Sequence, residues 1–141
     1  MVVRPTPIRV ADPDGDAGHT SGLLKHETTF KEVADGAGLD PTEVQGNEKT
    51  STTRRNRRVG WFEWEQFRSA CVLNAPTDLV LTFADYVDAG NQDARRFEQL
   101  SRDTIKFIEE LERVAQAPVS LVNTRFPRKS TTDTDLRTVI D

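Results

Sequence analysis

The sequence predicts an α/β fold, the C-terminal portion of a mainly parallel sheet flanked by helices. Two short runs, Asp78-Leu79-Val80-Leu81-Thr82-Phe83 and Val119-Ser120-Leu121-Val122-Asn123, read as strands of such a sheet. Between them lies the longest helical periodicity in the chain, so the order strand, helix, strand implies a crossover connection. The 141 residues, 35% hydrophobic and 30% charged, suit one domain with a genuine core.

In chain order, Pro7 to Val10 is a short extended candidate. The turn-rich ADPDGDAGHTSG follows, and its aspartates at 12, 14 and 16 imitate the start of a calcium loop. The imitation fails at its sixth and twelfth positions, where Ala17 and Leu23 replace the required Gly and Glu, so the stretch is expected to be a solvated loop. His19 and His26 have no ligand partners at metal spacing and read as surface histidines. Thr28 to Ala37 predicts a short helix, capped by Thr28 or Thr29 and ended by glycine. QGNEKTSTTRRNRR carries no apolar residue for fourteen positions and predicts a loop.

Trp61, Trp64, Phe67, Ala70 and Cys71 share one helical face, so a helix from Trp61 to about Asn74 is expected, with both tryptophans in the core. After the strand Asp78–Phe83, polar residues 85–92 form a loop at the strand's C-terminal end, where α/β folds usually hold ligands. Asp93 to about Gln116 predicts the longest helix, with Phe97, Leu100, Thr104, Ile108 and Leu111 on one face. Ala117-Pro118 stops it, Val119–Asn123 is the next strand, and the tail ends in an edge-strand candidate.

The charge balance excludes some functions. A net charge of −4 argues against a general nucleic-acid binder. The single cysteine, Cys71, rules out an intrachain disulfide and a thiolate metal site. No apolar run is long enough to span a bilayer, and the N-terminus lacks the apolar core of a signal peptide, so a cytoplasmic location is the expectation.

Within TSTTRRNRRVGW, four arginines fall in five positions, 54, 55, 57 and 58. Guanidinium forks suit planar carboxylates and phosphates, and hydroxyls and loop amides complete an anion's hydrogen bonds. Thr52, Thr53, Arg55 and Arg57 are therefore candidates for gripping an anion. A solvated loop is the competing reading on spacing alone.

The wording of the stretch carries more. QGNEKTSTTRRNRRVGWFEW resembles the substrate loop of the adenylosuccinate synthetase family, Q-G-N-E-x-G-x-T-T-G-R-x-R-R-x-G-W. VLTFADYVD is similar to its L-T-K-L-D-V-L-D segment, FIEELERVAQAPVSLVNT to its I-E-E-L-x-G-V-P-I-x-I-I-S-T-G, and PIRV to a segment ending in Arg-Val. Asn74 matches the asparagine after the next helix. The matches follow the family's order and cover residues 1–141, with a substrate loop at 45–60 and base-recognition segments at 79–88 and 119–128.

The resemblance implies a ligase of purine nucleotide biosynthesis that uses GTP and Mg2+ to phosphorylate the 6-oxygen of IMP, the amine of L-aspartate then displacing the phosphate. By position, Ser51, Thr52, Thr53 and Arg55 would hold aspartate, with Arg55 near the nucleotide. Arg57 would reach towards aspartate and GTP, and Val10 would lie against the ribose of IMP. Asp85 would accept hydrogen bonds from guanine, with Phe83, Asn123, Thr124 and Arg125 beside the same base.

The chain departs from the pattern at places that bear on the sites. Arg54 and Arg125 stand where the family has glycine, and Phe83 where it has lysine. No stretch matches the phosphate-cradling G-D-E-G-K-G-K loop or the family's catalytic aspartate and histidine. No catalytic residue and no metal ligand is therefore expected in this chain, which would act with an N-terminal P-loop half or as a homodimer. A viral-type 2-aminoadenylosuccinate synthetase acting on dGMP, ATP in place of GTP, and a truncated non-catalytic nucleotide- or aspartate-binding module are the alternatives. As part of a parallel sheet, it should also expose apolar surface.

Overall fold

The computed structural model describes residues 1–11 and 24–125. The elements in chain order are β1 (Val2–Val3), β2 (Ile8–Val10), β3 (Glu27–Thr28), α1 (Phe30–Ala37), α2 (Pro41–Asn47), β4 (Arg57–Gly60), α3 (Trp64–Asn74), β5 (Leu79–Leu81), α4 (Arg102–Ala115) and β6 (Val119–Val122). They divide between two compact units, one of residues 1–5 with the chain from Trp64 onward, the other Thr6–Glu63. The acidic loop of Asp12, Asp14 and Asp16, His19 and the C-terminal edge-strand candidate lie outside the described residues. No helix among the described residues is long and apolar enough to cross a membrane.

In the first unit, β1, β5 and β6 form the expected parallel sheet in the order β1-β5-β6. Its buried face carries Val3, Leu79, Leu81, Val119 and Val122, and the core is completed by Ile108 and Leu111 of α4. The opposite face carries the cross-strand row Val2, Val80 and Leu121. Val2 is 69% and Leu121 43% exposed, the apolar exposure expected of a parallel sheet left open on one side.

Both helices of this unit begin later than their periodicity predicts. In α3 the buried residues are Phe67 and Cys71, and Trp64 packs edge-on against Phe67 and tilted against Phe107. Trp61 precedes the helix and is 47% exposed, so it is not the core residue its spacing suggests. α4 starts at Arg102, where the Ser101 hydroxyl accepts from the Thr104 amide, and not at Asp93. The intervening chain instead forms 3-10 turns at Ala89–Asp93 and Phe97–Gln99. Asp88 accepts from Gly90 N and Gln99 from the amides of Arg95 and Arg96, local bonds that compete with a helical ladder.

The second unit has an antiparallel sheet in the order β2-β4-β3, which the sequence did not suggest. α1 follows its prediction: Thr29 and Glu32 form a capping box, and Gly38 closes the helix in the left-handed conformation. α2 was not predicted, although its signals are plain, since Asp40 accepts from the Thr42 and Glu43 amides and Pro41 occupies the first turn. It takes residues 45–47 out of the expected loop, and β4 takes Arg57 and Arg58. Gly60 sits close to its neighbour, since a Cβ there would lie 3.0 Å from the His26 carbonyl oxygen and the backbone would have to give slightly. His26 itself is exposed, as expected.

Candidate functional site

Two regions carry the chemistry, one in each unit. In Thr6–Glu63 the arginine stretch is a tight connection closed by an isolated bridge between Lys49 and Asn56. Thr50, absent from the predicted site, organises it. Its hydroxyl shares a hydrogen bond with the Thr53 hydroxyl at 2.7 Å and accepts the Arg55 amide at 2.9 Å. Its carbonyl accepts the Arg54 amide, and its own amide donates to the Arg55 carbonyl.

Ser51, Thr52, Thr53, Arg54 and Arg55 are exposed at the tip. Arg54 has φ 54, inside the left-handed region. At this position, where the family pattern has glycine, the backbone is one that glycine adopts freely, and an arginine bears the steric cost.

The remaining two arginines belong to β4 and have separate duties. Arg57 Nη1 donates to Glu48 Oε2 at 3.1 Å, and the Glu48 side chain has no exposed surface. Glu48 thus fixes Arg57 where β4 leaves the loop, a role the QGNE motif marks in sequence without revealing its partner. Val10 is paired with Arg57 in the β2–β4 ladder. Arg58 forms a two-pronged bond to Glu27, with Nε to Oε1 at 2.7 Å and Nη2 to Oε2 at 2.6 Å. The guanidinium holds the Glu27 carboxyl below the usual carboxylate range. Arg58 is thereby a cross-strand tie between β4 and β3, with its Nη1 buried and without a hydrogen-bond partner.

In the other unit, three chain segments end together at the C-terminal edge of the parallel sheet. Arg4 follows β1, Phe83 and Asp85 follow β5, and Asn123 to Arg125 follow β6. Thr82 donates from its amide and its hydroxyl to the Val3 carbonyl. Asn123 accepts the Phe83 amide on Oδ1 at 3.4 Å, and its carbonyl accepts the Ala84 amide at 3.0 Å. Phe83 adopts φ 58, a left-handed conformation that is rare for a bulky side chain and costs energy wherever it persists. Thr124 is buried.

Asp85 is the chemically notable residue of this edge. It is 3% exposed, Gln92 Nε2 reaches its Oδ2 at 3.4 Å, and its Oδ1 is buried without a hydrogen-bond partner. Burial pushes the carboxyl up to about 6, against the opposing effects of Gln92, nearby backbone amides and the charge of Arg4. A buried acceptor left unsatisfied costs free energy, and a ligand edge bearing N–H donors would recover it.

The support for this turn comes from Asn91, which the sequence reading missed. Asn91 is fully buried and donates to the Ala84 carbonyl and the Thr104 hydroxyl while accepting the Ser101 amide. It ties the turn bearing Asp85 to the start of α4. No group of three or more His, Cys, Asp or Glu residues that could hold a metal ion occurs among the described residues.

Residues 25–92 match the family model for adenylosuccinate synthetase. An adenylosuccinate synthetase of Methanocaldococcus jannaschii is 36% identical over 97 residues, covering 63% of this chain and 28% of that protein. One from Thermococcus onnurineus is 35% identical over 97 residues, with 63% and 29% covered. A solved structure, the cyanophage S-2L succinoaminodeoxyadenylate synthetase PurZ bound to dGMP and dATP as an energy donor, aligns at TM-score 0.49 and 23% identity, over 86% of this chain and 29% of that one. The chain thus spans less than a third of the length of the curated relatives it matches.

Proposed function

We propose that this chain, a relative of the adenylosuccinate synthetases through residues 25–92, supplies the aspartate-binding loop and the base-recognition edge of a ligase that joins L-aspartate to a purine nucleotide. The observation that carries this reading is the arginine loop itself. Its hydroxyls and amides are organised by Thr50, its tip presents Thr52, Thr53 and Arg55, and buried Glu48 sets Arg57 at its base. A dicarboxylate needs fixed cationic partners and several N–H and O–H donors, and this loop offers both.

Chemically, the chain's residues bind and orient. Thr52, Thr53 and Arg55, with Ser51 beside them, take the carboxylates of aspartate, so that its amine is held towards the 6-position of IMP, while Val10 lies against the ribose. Arg57 supplies positive charge for the phosphate developing on the 6-oxygen. Asp85 accepts N–H donors from the guanine of GTP, and Asn123, Thr124 and Arg125 border the base. Magnesium and the groups that transfer the phosphoryl group come from a P-loop portion that this sequence does not match, and the assembled ligase is a cytoplasmic enzyme.

Calorimetry on the 141-residue chain tests the reading. L-aspartate should bind, and Arg55→Ala should abolish that binding; guanine nucleotide should bind, and Asp85→Asn should weaken it. Adding a P-loop-bearing N-terminal portion should produce GTP- and aspartate-dependent turnover. An assembled complex without turnover, together with no aspartate binding by the chain, would sink the proposal.

A further inference from the structure

Arg4 is not among the residues assigned above, yet it stands at the same sheet edge as Asp85. Its guanidinium carbon lies 4.0 Å from the centre of the Phe83 ring and 5.2 Å from that of Tyr86, and the two rings are themselves 5.3 Å apart. A guanidinium at those distances is attracted by both ring faces. The parallel pairing of β1 with β5 brings it there, since Val3 is in register with Leu81 and the Val3 carbonyl takes both donors of Thr82. The left-handed turn at Phe83 accompanies this placement: it sets the ring under Arg4 and starts the 3-10 turn Ala84–Tyr86 that buries Asp85.

Among the described residues, Arg4 is the charged group whose field acts on the Asp85 carboxyl, and it favours the ionised form. From the turn that follows, Gln92 contributes a neutral donor, and Asp88 is committed to the Gly90 amide. From the end of β6, Asn123 directs its side-chain oxygen to the Phe83 amide. Tyr86, the titratable neighbour within the same turn, packs against Phe83.

We propose that Arg4 is the specificity-determining partner of Asp85. From its seat on the Phe83 and Tyr86 rings it keeps the buried carboxyl a double acceptor, so the site takes a purine edge with two N–H donors, as guanine presents, in preference to the donor-and-acceptor edge of adenine. A carboxylate has only acceptors, whereas a neutral carboxyl has one donor and one acceptor and matches adenine's amine and ring nitrogen. This inference rests on the base-recognition reading of Asp85. It goes further in naming the residue that sets which purine is chosen.

The test follows the Asp85 carboxyl by carbon-13 NMR in the unliganded chain and measures GDP and ADP binding by calorimetry between pH 5 and 8. Removing the cation in Arg4→Gln should move the Asp85 titration up by about one pH unit. At pH 6 this should weaken GDP binding about fivefold and strengthen ADP binding, and Arg4→Lys should restore the midpoint, which a purely packing role for Arg4 would not do. A folded Arg4→Gln chain with an unmoved Asp85 titration overturns the role of Arg4, whatever the nucleotides do. If Asp85→Asn leaves GDP binding intact, the base-recognition reading falls and this inference with it.

Discussion

Glu48 and Arg57, nine residues apart, form an ion pair in which the carboxylate side has no exposed surface and the guanidinium keeps 24% of its own. The asymmetry has an energetic consequence. Removing Arg57 takes a cation from a buried carboxylate, whereas removing Glu48 leaves a cation that can still reach water. Arg57→Ala should therefore destabilise the chain by about 3 kcal/mol and Glu48→Ala by about 2 kcal/mol. The double variant should cost less than the sum, because the second substitution removes a penalty the first created. Urea unfolding of the four proteins measures this coupling, and strict additivity would show that the pair contributes nothing.

Arg54 offers a prediction of the opposite sign. A non-glycine residue at φ 54 carries local strain, and the same position in the family pattern is glycine. Arg54→Gly should be neutral or should stabilise by up to about 1 kcal/mol, the relief of strain offsetting the added freedom of the unfolded chain. Arg54→Val should destabilise by about 1–2 kcal/mol, since a β-branched side chain tolerates this conformation least. Thermal unfolding distinguishes the two, and a stable Val variant would mean that the turn is not held in this form.

The fate of this loop shows how much of the molecule its sequence disclosed. The parallel pair β5 and β6 and the capping of α1 were both legible, because each depends on residue types within a few positions. What was hidden depends on partners far apart in sequence. Arg58 reads like its neighbours until β4 pairs with β3 and Glu27 arrives from 31 residues away. Strands β1 and β3 are two residues each, too short for any periodicity. The apolar spacing of Phe97 and Leu100 extends the helical pattern nine residues ahead of α4, although the Ser101 cap sets its start. Asp85 was recognised through a family motif, but nothing local in the sequence says that it is buried.

Asn91 is the buried residue on which the Asp85 turn depends. Replacing it with alanine would take one hydrogen bond each from the Ala84 carbonyl and the Thr104 hydroxyl, which keep other partners, and from the Ser101 amide. A loss of about 3 kcal/mol is expected, since several buried polar groups lose a hydrogen bond at once. Hydrogen exchange at the amides of residues 84–88 should accelerate more than at the amides of β6. Uniform acceleration across the unit would argue that Asn91 serves general stability and not this turn.

Asp85 should make the chain less stable as pH rises. Its folded value of about 6 lies above the ordinary value of 3.8, so the folded state holds the proton more tightly than the unfolded state. Below about pH 4 both states are protonated and burial of the neutral acid carries no ionic penalty. Between about pH 4 and 6 the unfolded chain releases its proton first, stability falls, and above pH 6 the loss is complete at no more than about 3 kcal/mol. Asp85→Asn should remove this slope and raise stability at pH 7 relative to the parent chain, while weakening guanine nucleotide binding. Stability gained together with binding lost at one position is what a buried acceptor kept for a ligand would give. If urea titrations from pH 4 to 7 show the same slope in both proteins, the carboxyl is not desolvated and its claim to the base site is lost.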